Sequence, residues 1–226
     1  MYILLTDALT CPRCGPEFGL LVLADRMEER RVVEGRLGCP NCRSAYPIHD
    51  AAADLRVHGP ASSESAVPAV PAVPVDGDAE PPVRLAALMG LAGAHGLAML
   101  AGPGARHAAA VSALVPELEV VAVTEGPDAL PGRAAGVSRL AAGRASLPFR
   151  DGALRAAALT GGADDALLRE ALRVLAAGAR LVVDPAPAGT AERLGALGAQ
   201  VLLEQEETVV ARAPGRPVEP RYNAVR

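Results

Sequence analysis

The sequence predicts an α/β chain in which a small four-cysteine unit precedes a mostly parallel sheet closed by an antiparallel hairpin. Three observations carry this: two Cys-x-x-Cys pairs near the start, β-branched runs alternating with Ala/Leu-rich stretches after Arg84, and two closely spaced strands at the end. The 226 residues allow two small domains or one large one, and a composition that is 50% hydrophobic supplies a core. Small side chains fill it, since 47 Ala stand against three Tyr, two Phe and no Trp. All 22 basic residues are Arg, against 26 acids, so the net charge of −4 gives no general attraction for nucleic acid. No run reaches the ~18 apolar residues of a membrane span, and MYILLTDALT turns polar too early for a signal peptide. The expectation is a cytoplasmic chain without a membrane partner.

Taken in order, composition divides the chain into residues 1–56, a linker over 57–83, a longer domain over 84–213 and a tail over 214–226. Cys11-Pro-Arg-Cys14 and Cys39-Pro-Asn-Cys42 form two tight knuckles, and two such turns complete a tetrahedron of thiolates around a zinc ion. All four positions are then protein, so the metal is structural rather than catalytic. Arg13 or Arg43 could offset the excess negative charge. Disulfides or a redox pair are the competing readings, and the lack of an export signal disfavours them. In the linker, Pro68, Pro71 and Pro74 recur at the period of polyproline II, which predicts a semi-rigid spacer.

Beyond it, strands are predicted at Leu97 to Ala101, Glu119 to Thr124, Ala156 to Thr160, Arg180 to Asp184, Gln200 to Glu204 and Thr208 to Arg212. Helices are predicted near Arg84 to Ala92, Ala105 to Leu114, Asp164 to Ala176 and Thr190 to Gly198. The last two strands should pair as a hairpin, and the tail PGRPVEPRYNAVR has no period and reads as disordered.

Two resemblances add to this. The Cys-Pro-x-Cys opening, the second Cys pair and Tyr46-Pro47-Ile48 followed by Asp50 resemble the zinc ribbon that activates transfer-RNA, ribosomal-RNA and release-factor methyltransferases. The likeness covers about residues 4 to 56, with Ala51 where that family has a turn Gly. It implies a protein partner, a methyltransferase or another translation-related protein, rather than chemistry; RNA binding by the ribbon is the alternative, and its balanced charge disfavours it. From Gly96 to Arg212, the turn Gly102-Pro103-Gly104, the segment Leu147-Pro148-Phe149-Arg150-Asp151-Gly152 and Arg169 to Leu175 look like a Rossmann-like class I S-adenosylmethionine-dependent methyltransferase.

Function rests on the site, and the site lacks its acids. Aligned on Gly102-Pro103-Gly104, the resemblance puts the family's first-strand acid on Ala98, its first glycine on Leu100, its second-strand acid on Thr124 and a later acid on Arg155. Ala177-Gly178-Ala179 replaces a Pro-Gly-Gly. Glu125 can stand in for the missing acid only if its strand ends early. If S-adenosylmethionine binds, Gly102, Gly104 and Glu125 hold it; the glycines otherwise make a tight turn with no ligand. No nucleophile and base pair is legible: His95 and His107 read as surface or core histidines, Glu170 as a partner of Arg169 or Arg173, and Asp164 and Asp165 as helix-start residues. The reading is a zinc-binding platform on a degenerate methyltransferase-like scaffold. The alternative is a working methyltransferase with a rearranged site acting on RNA, protein or a small molecule.

Overall fold

The computed structural model describes residues 1–57, 80–143 and 146–215. The polyproline reading of Pro68 to Pro74 and the disordered-tail reading of 216–226 lie outside them.

The N-terminal part folds as six short strands after a 3-10 turn at Ile3–Ala8. These are β1 (Thr10–Cys11), β2 (Gly15–Gly19), β3 (Leu21–Glu28), β4 (Arg31–Gly38), β5 (Ala45–His49) and β6 (Ala52–Asp54). The turn joining β5 to β6 is left-handed at both Asp50 (φ 46°) and Ala51 (φ 58°), so the geometry that glycine usually provides is kept although Ala51 carries a Cβ.

Helix α1 (Glu80–Met89) starts inside the stretch read as linker, because Pro81 and Pro82 sit in its first turn, where the missing N–H costs nothing. Then come β7 (Gly96–Ala101), α2 (Ala108–Leu114), β8 (Leu118–Thr124), β9 (Val137–Ala141), β10 (Leu154–Thr160), α3 (Asp165–Val174), β11 (Leu175–Asp184), α4 (Thr190–Ala196), β12 (Gln200–Gln205) and β13 (Thr208–Arg212). Every predicted strand is present, and β12 and β13 form the expected hairpin. Three details differ. Residues 102–107 are a 3-10 turn, since Pro103 and Gly104 delay α2. The chain leaves α3 at Val174 and is extended from Leu175, before the predicted helix end. Strand β9 was not foreseen, because Ser138 and Arg139 interrupt its apolar run although all five of its residues are buried.

Eleven strands form one sheet in the order β12-β13-β11-β10-β7-β8-β9-β6-β5-β4-β3. The core from β9 to β11 is parallel, as the alternating pattern predicts. The sequence did not announce the junction: β6 adds in parallel to β9, with Ala52 opposite Arg139, Ala53 opposite Leu140 and Asp54 opposite Ala141. Leu55 N–H extends the ladder to Ala141 O at 2.7 Å.

Coverage of the two sheet faces explains why the N-terminal part sits there. One face, with Ala98, Leu100, Val120 and Ala158, packs with residues of α1 and α2 such as Leu85, Met89 and Val111. The other, with Met99, Val121, Leu140 and Ala157, shares a core with α3, α4 and the N-terminal Met1, Leu5 and Leu9. Among the described residues no α-helix joins β8 to β9 or β9 to β10. Gly126, Pro127, Pro131 and Gly132 break the first of these connections into a short 3-10 turn at Pro127–Ala129. Residues 1–9 therefore stand where a crossover helix would otherwise cover the strands.

Polar contacts fasten the junction. Arg31 grips Glu119 with both guanidinium nitrogens at 2.8 and 2.9 Å, and Ser138 donates to the same carboxylate at 2.6 Å. Arg139, nearly buried in β9, donates to the carboxylate and the carbonyl of Asp50. Arg133 donates to Glu28 at 2.7 Å. Because the Glu119 side chain is only 10% exposed, Glu119→Ala leaves Arg31 confined without its partner and is expected to cost about 3 kcal/mol in urea denaturation; Arg31→Met with Glu119→Leu should recover most of it. Thr6, in the covering turn, has a hydroxyl with no hydrogen-bond partner although the residue is only 8% exposed. Thr6→Val should raise stability by about 1 kcal/mol, read from the denaturation midpoint.

Candidate functional site

Two sites follow from the sequence, and the structure treats them differently. The first is the cysteine cluster. Hairpin β1/β2 presents Cys11 and Cys14, and the turn between β4 and β5 presents Cys39 and Cys42. That turn is closed by Cys39 N–H to Ser44 O at 2.9 Å and Arg43 N–H to Cys39 O at 3.0 Å. All four Sγ atoms lie within 4.8 Å of one another. Cys11 to Cys42 is 3.7 Å and Cys39 to Cys14 is 3.8 Å. Four sulfurs at ~2.3 Å from one tetrahedral metal lie ~3.8 Å apart, so the donor set fits a zinc ion with no open position.

The surroundings act unevenly on the four thiols, and burial raises the pKa of Cys39. Asn41 Nδ2 donates to Cys14 Sγ at 3.4 Å, and Tyr46 Oη lies 3.3 Å from Cys11 Sγ. The hydroxyl and backbone of Ser44 bring the Cys42 thiol down to about 6. Among the described residues no hydrogen bond joins the guanidinium of Arg13 or Arg43 to a thiol. Tyr46 thus has a second use besides core packing, which the Tyr-Pro-Ile segment alone did not disclose.

The second site lies at the carboxyl ends of β7, β8 and β10, where a parallel sheet of this kind binds its ligands. A cavity of about 40 Å³ is found there, lined by Gly102, Thr124, Glu125, Leu147, Thr160 and Leu167 among others. Ligand pockets of drug or cofactor size run to ~300 Å³ or more, so the space left between these side chains is small by comparison. Thr160 explains much of this. Its hydroxyl accepts from Gly104 N–H at 2.6 Å and donates to Ala101 O at 2.7 Å, which satisfies the turn's backbone from within. A Cβ on Gly102 (φ +82°) would stand 2.0 Å from Thr160 O, and one on Gly104 2.6 Å from Thr160 Cγ2. Both glycines are thus required by close packing on β10.

The other expectations for this site separate. Strand β8 does not end early: Thr124 still pairs with Ala141, and its hydroxyl donates to Gly126 O at 2.7 Å. Glu125 follows as an exposed residue at the cavity rim. Leu100, where the resemblance puts the family's first glycine, is buried beneath α1 and α2, and the cavity is lined instead by Leu147, Leu159, Leu167 and Thr160. Arg155 lies beside Gly96 at the opposite end of the strands.

The Leu-Pro-Phe segment is held from both sides. Thr10 N–H donates to Pro148 O at 3.0 Å and Arg150 N–H to Ala8 O at 2.8 Å, which ties it to the N-terminal part. From α3, Arg173 donates to Phe149 O, Leu147 O and Asp151 while paired with Glu170, whose carboxylate also accepts from Leu147 N–H. The Glu170 pairing foreseen as a surface feature is therefore a clamp on this loop. Asp164 caps α3 through Leu167 N–H at 2.8 Å, as expected. His95 pairs with Glu117 on the surface, and burial together with Arg106 lowers the pKa of His107.

The architecture is a four-cysteine ribbon joined edge to edge with a mostly parallel α/β sheet closed by an antiparallel hairpin. Residues 3–50 match the sequence model of the family described as Trm112p-like protein, so a Trm112p-like zinc ribbon forms the N-terminus. No match was found among curated protein sequences. Among solved structures, the chain is similar to a variant of the 16S rRNA (adenine(1408)-N(1))-methyltransferase from Catenulisporales acidiphilia, at 19% identity over 64% of this chain and 95% of that one, with a TM-score of 0.45. It is also similar to the antibiotic-resistance methyltransferase Kmr, at 16% identity over 60% and 93% of the two chains and a TM-score of 0.44. A 1,6-didemethyltoxoflavin-N1-methyltransferase from Burkholderia thailandensis, solved with S-adenosylhomocysteine, gives 14% identity, coverage of 61% and 80%, and a TM-score of 0.46.

Proposed function

We propose that the chain is a zinc-dependent, non-catalytic binding platform of the cytoplasm, in which residues 1–56 and the region from α1 to Ala213 act as one unit. The zinc ion held by Cys11, Cys14, Cys39 and Cys42 is structural. The methyltransferase-like sheet serves as scaffold, and the partner is a protein of the methyltransferase or translation class that the ribbon's family serves. One observation supports this reading: the cavity at the carboxyl ends of β7, β8 and β10 measures only about 40 Å³, and Thr160 already takes the Gly104 N–H of the first turn. The junction bears on where such a partner docks, because the β6 edge is already paired with β9 and the partner must use another surface of the ribbon.

A working methyltransferase is the second reading, favoured by Glu125 at the rim beside Gly102. Isothermal titration of the zinc-loaded chain with S-adenosylmethionine decides between them. No heat of binding is expected at ligand concentrations up to about 1 mM, whereas micromolar affinity abolished by Glu125→Ala would establish the second reading.

A further inference from the structure

The N-terminal sheet turns one face to the shared core and the other to solvent. Val22, Leu37, Tyr46 and Ile48 point inward. The residues between them point outward and form two cross-strand rows, Leu23–Arg36–Pro47 and Leu21–Gly38–Ala45. Leu21 is 62% exposed and Leu23 49%, while Arg36, Ala45 and Pro47 are exposed as well. Two adjacent leucines kept in water contribute little to this fold, and contiguous apolar surface of this sort marks an interaction site.

Charge narrows the occupant. On the same face Glu34 is engaged by Arg26 and His49, at 3.6 and 3.0 Å. Among the described residues Arg36 has no carboxylate within ion-pairing reach, and neither does Arg43 at the knuckle end. Within the row Leu23–Arg36–Pro47 the unmatched charge is therefore the guanidinium of Arg36.

We propose that this outer face docks an acidic, apolar segment of a partner protein, with Leu21 and Leu23 as its apolar seat and Arg36 as the donor to a carboxylate. A protein fits better than RNA because the surface is aliphatic, with no aromatic ring on which a base could stack, and offers too few arginines to follow a phosphate backbone. This inference rests on the platform reading and names the surface through which the platform acts. Since the β6 edge is consumed by β9, the partner is left the opposite side of the ribbon.

The test uses the full zinc-loaded chain as bait for a displayed pool of random peptides about twelve residues long. Leu23→Ser with Arg36→Glu serves as the control bait, its zinc content and melting temperature checked against the parent. Peptides that interleave Asp or Glu with apolar residues are expected to be enriched, and a representative one should lose about tenfold or more in affinity for the Arg36→Glu chain. Enrichment of basic or uncharged peptides, enrichment that survives in the control bait, no enrichment over bare support, or displacement of the peptide by a uridine oligonucleotide of equal length would each overturn the proposal. S-adenosylmethionine titrated into the same preparation separates the two claims. Binding there removes the platform reading, whereas a failed selection without such binding removes the docking surface alone.

Discussion

Cys39→Ser, or removal of the metal by a chelator, is expected to lower the melting temperature of the entire chain rather than loosen an N-terminal appendage. A structural zinc site contributes apparent binding energy of ~10–16 kcal/mol, as much as the whole stability of a typical domain. Without it, two knuckles and strands of two to eight residues have little to hold them. The loss travels further because the ribbon is continuous with the C-terminal sheet. Cys11 and Cys39 are 0% and 3% exposed and belong to the same core as Met99, Val121 and Phe149. Circular dichroism melting with parallel zinc assay should show one transition in the holo chain and a strongly depressed one after chelation. An apo chain whose C-terminal helices melt at the original temperature would refute the shared core.

What could be read from sequence follows local rules, and what could not depends on long-range pairing. The cysteine spacing announced the four-sulfur cluster because each knuckle is a local turn. The alternation of Val-rich and Ala/Leu-rich stretches gave six strands and the closing hairpin. Strand β9 was invisible because its polar residues look outward-facing in sequence, yet Arg139 is paid for by Asp50 and Ser138 by Glu119 across the junction. At the carboxyl ends of the strands, the role of Thr160 was not legible. Thr160 is an ordinary strand-end residue until the fold brings it within 2.6 Å of Gly104 N. Leu100 illustrates the converse: alignment placed it at the ligand, whereas strand alternation turns it to the helix-covered face.

The second large effect concerns separating the parts. A fragment beginning at Val57 loses the covering turn and the strand that pairs with β9. It would bare residues such as Met99, Val121, Leu140, Leu147 and Phe149, each no more than 2% exposed in the whole chain. Burying one such side chain is worth about 1.5–3 kcal/mol, so exposing even half of this group removes a stability comparable to that of a domain. The free edge of β9 adds an unpaired row of amides and carbonyls, which favours aggregation. The fragment is therefore expected to be insoluble or to bind a hydrophobic dye without a cooperative melt, and residues 1–57 supplied on a separate chain with zinc should restore solubility. Phe149→Ala in the full chain is the milder version, expected to cost about 3–5 kcal/mol while leaving zinc bound. A fragment from residue 57 onward that is monomeric and melts cooperatively would show that the sheet does not need its ribbon, and the N-terminal part would then be a passenger on a self-sufficient fold.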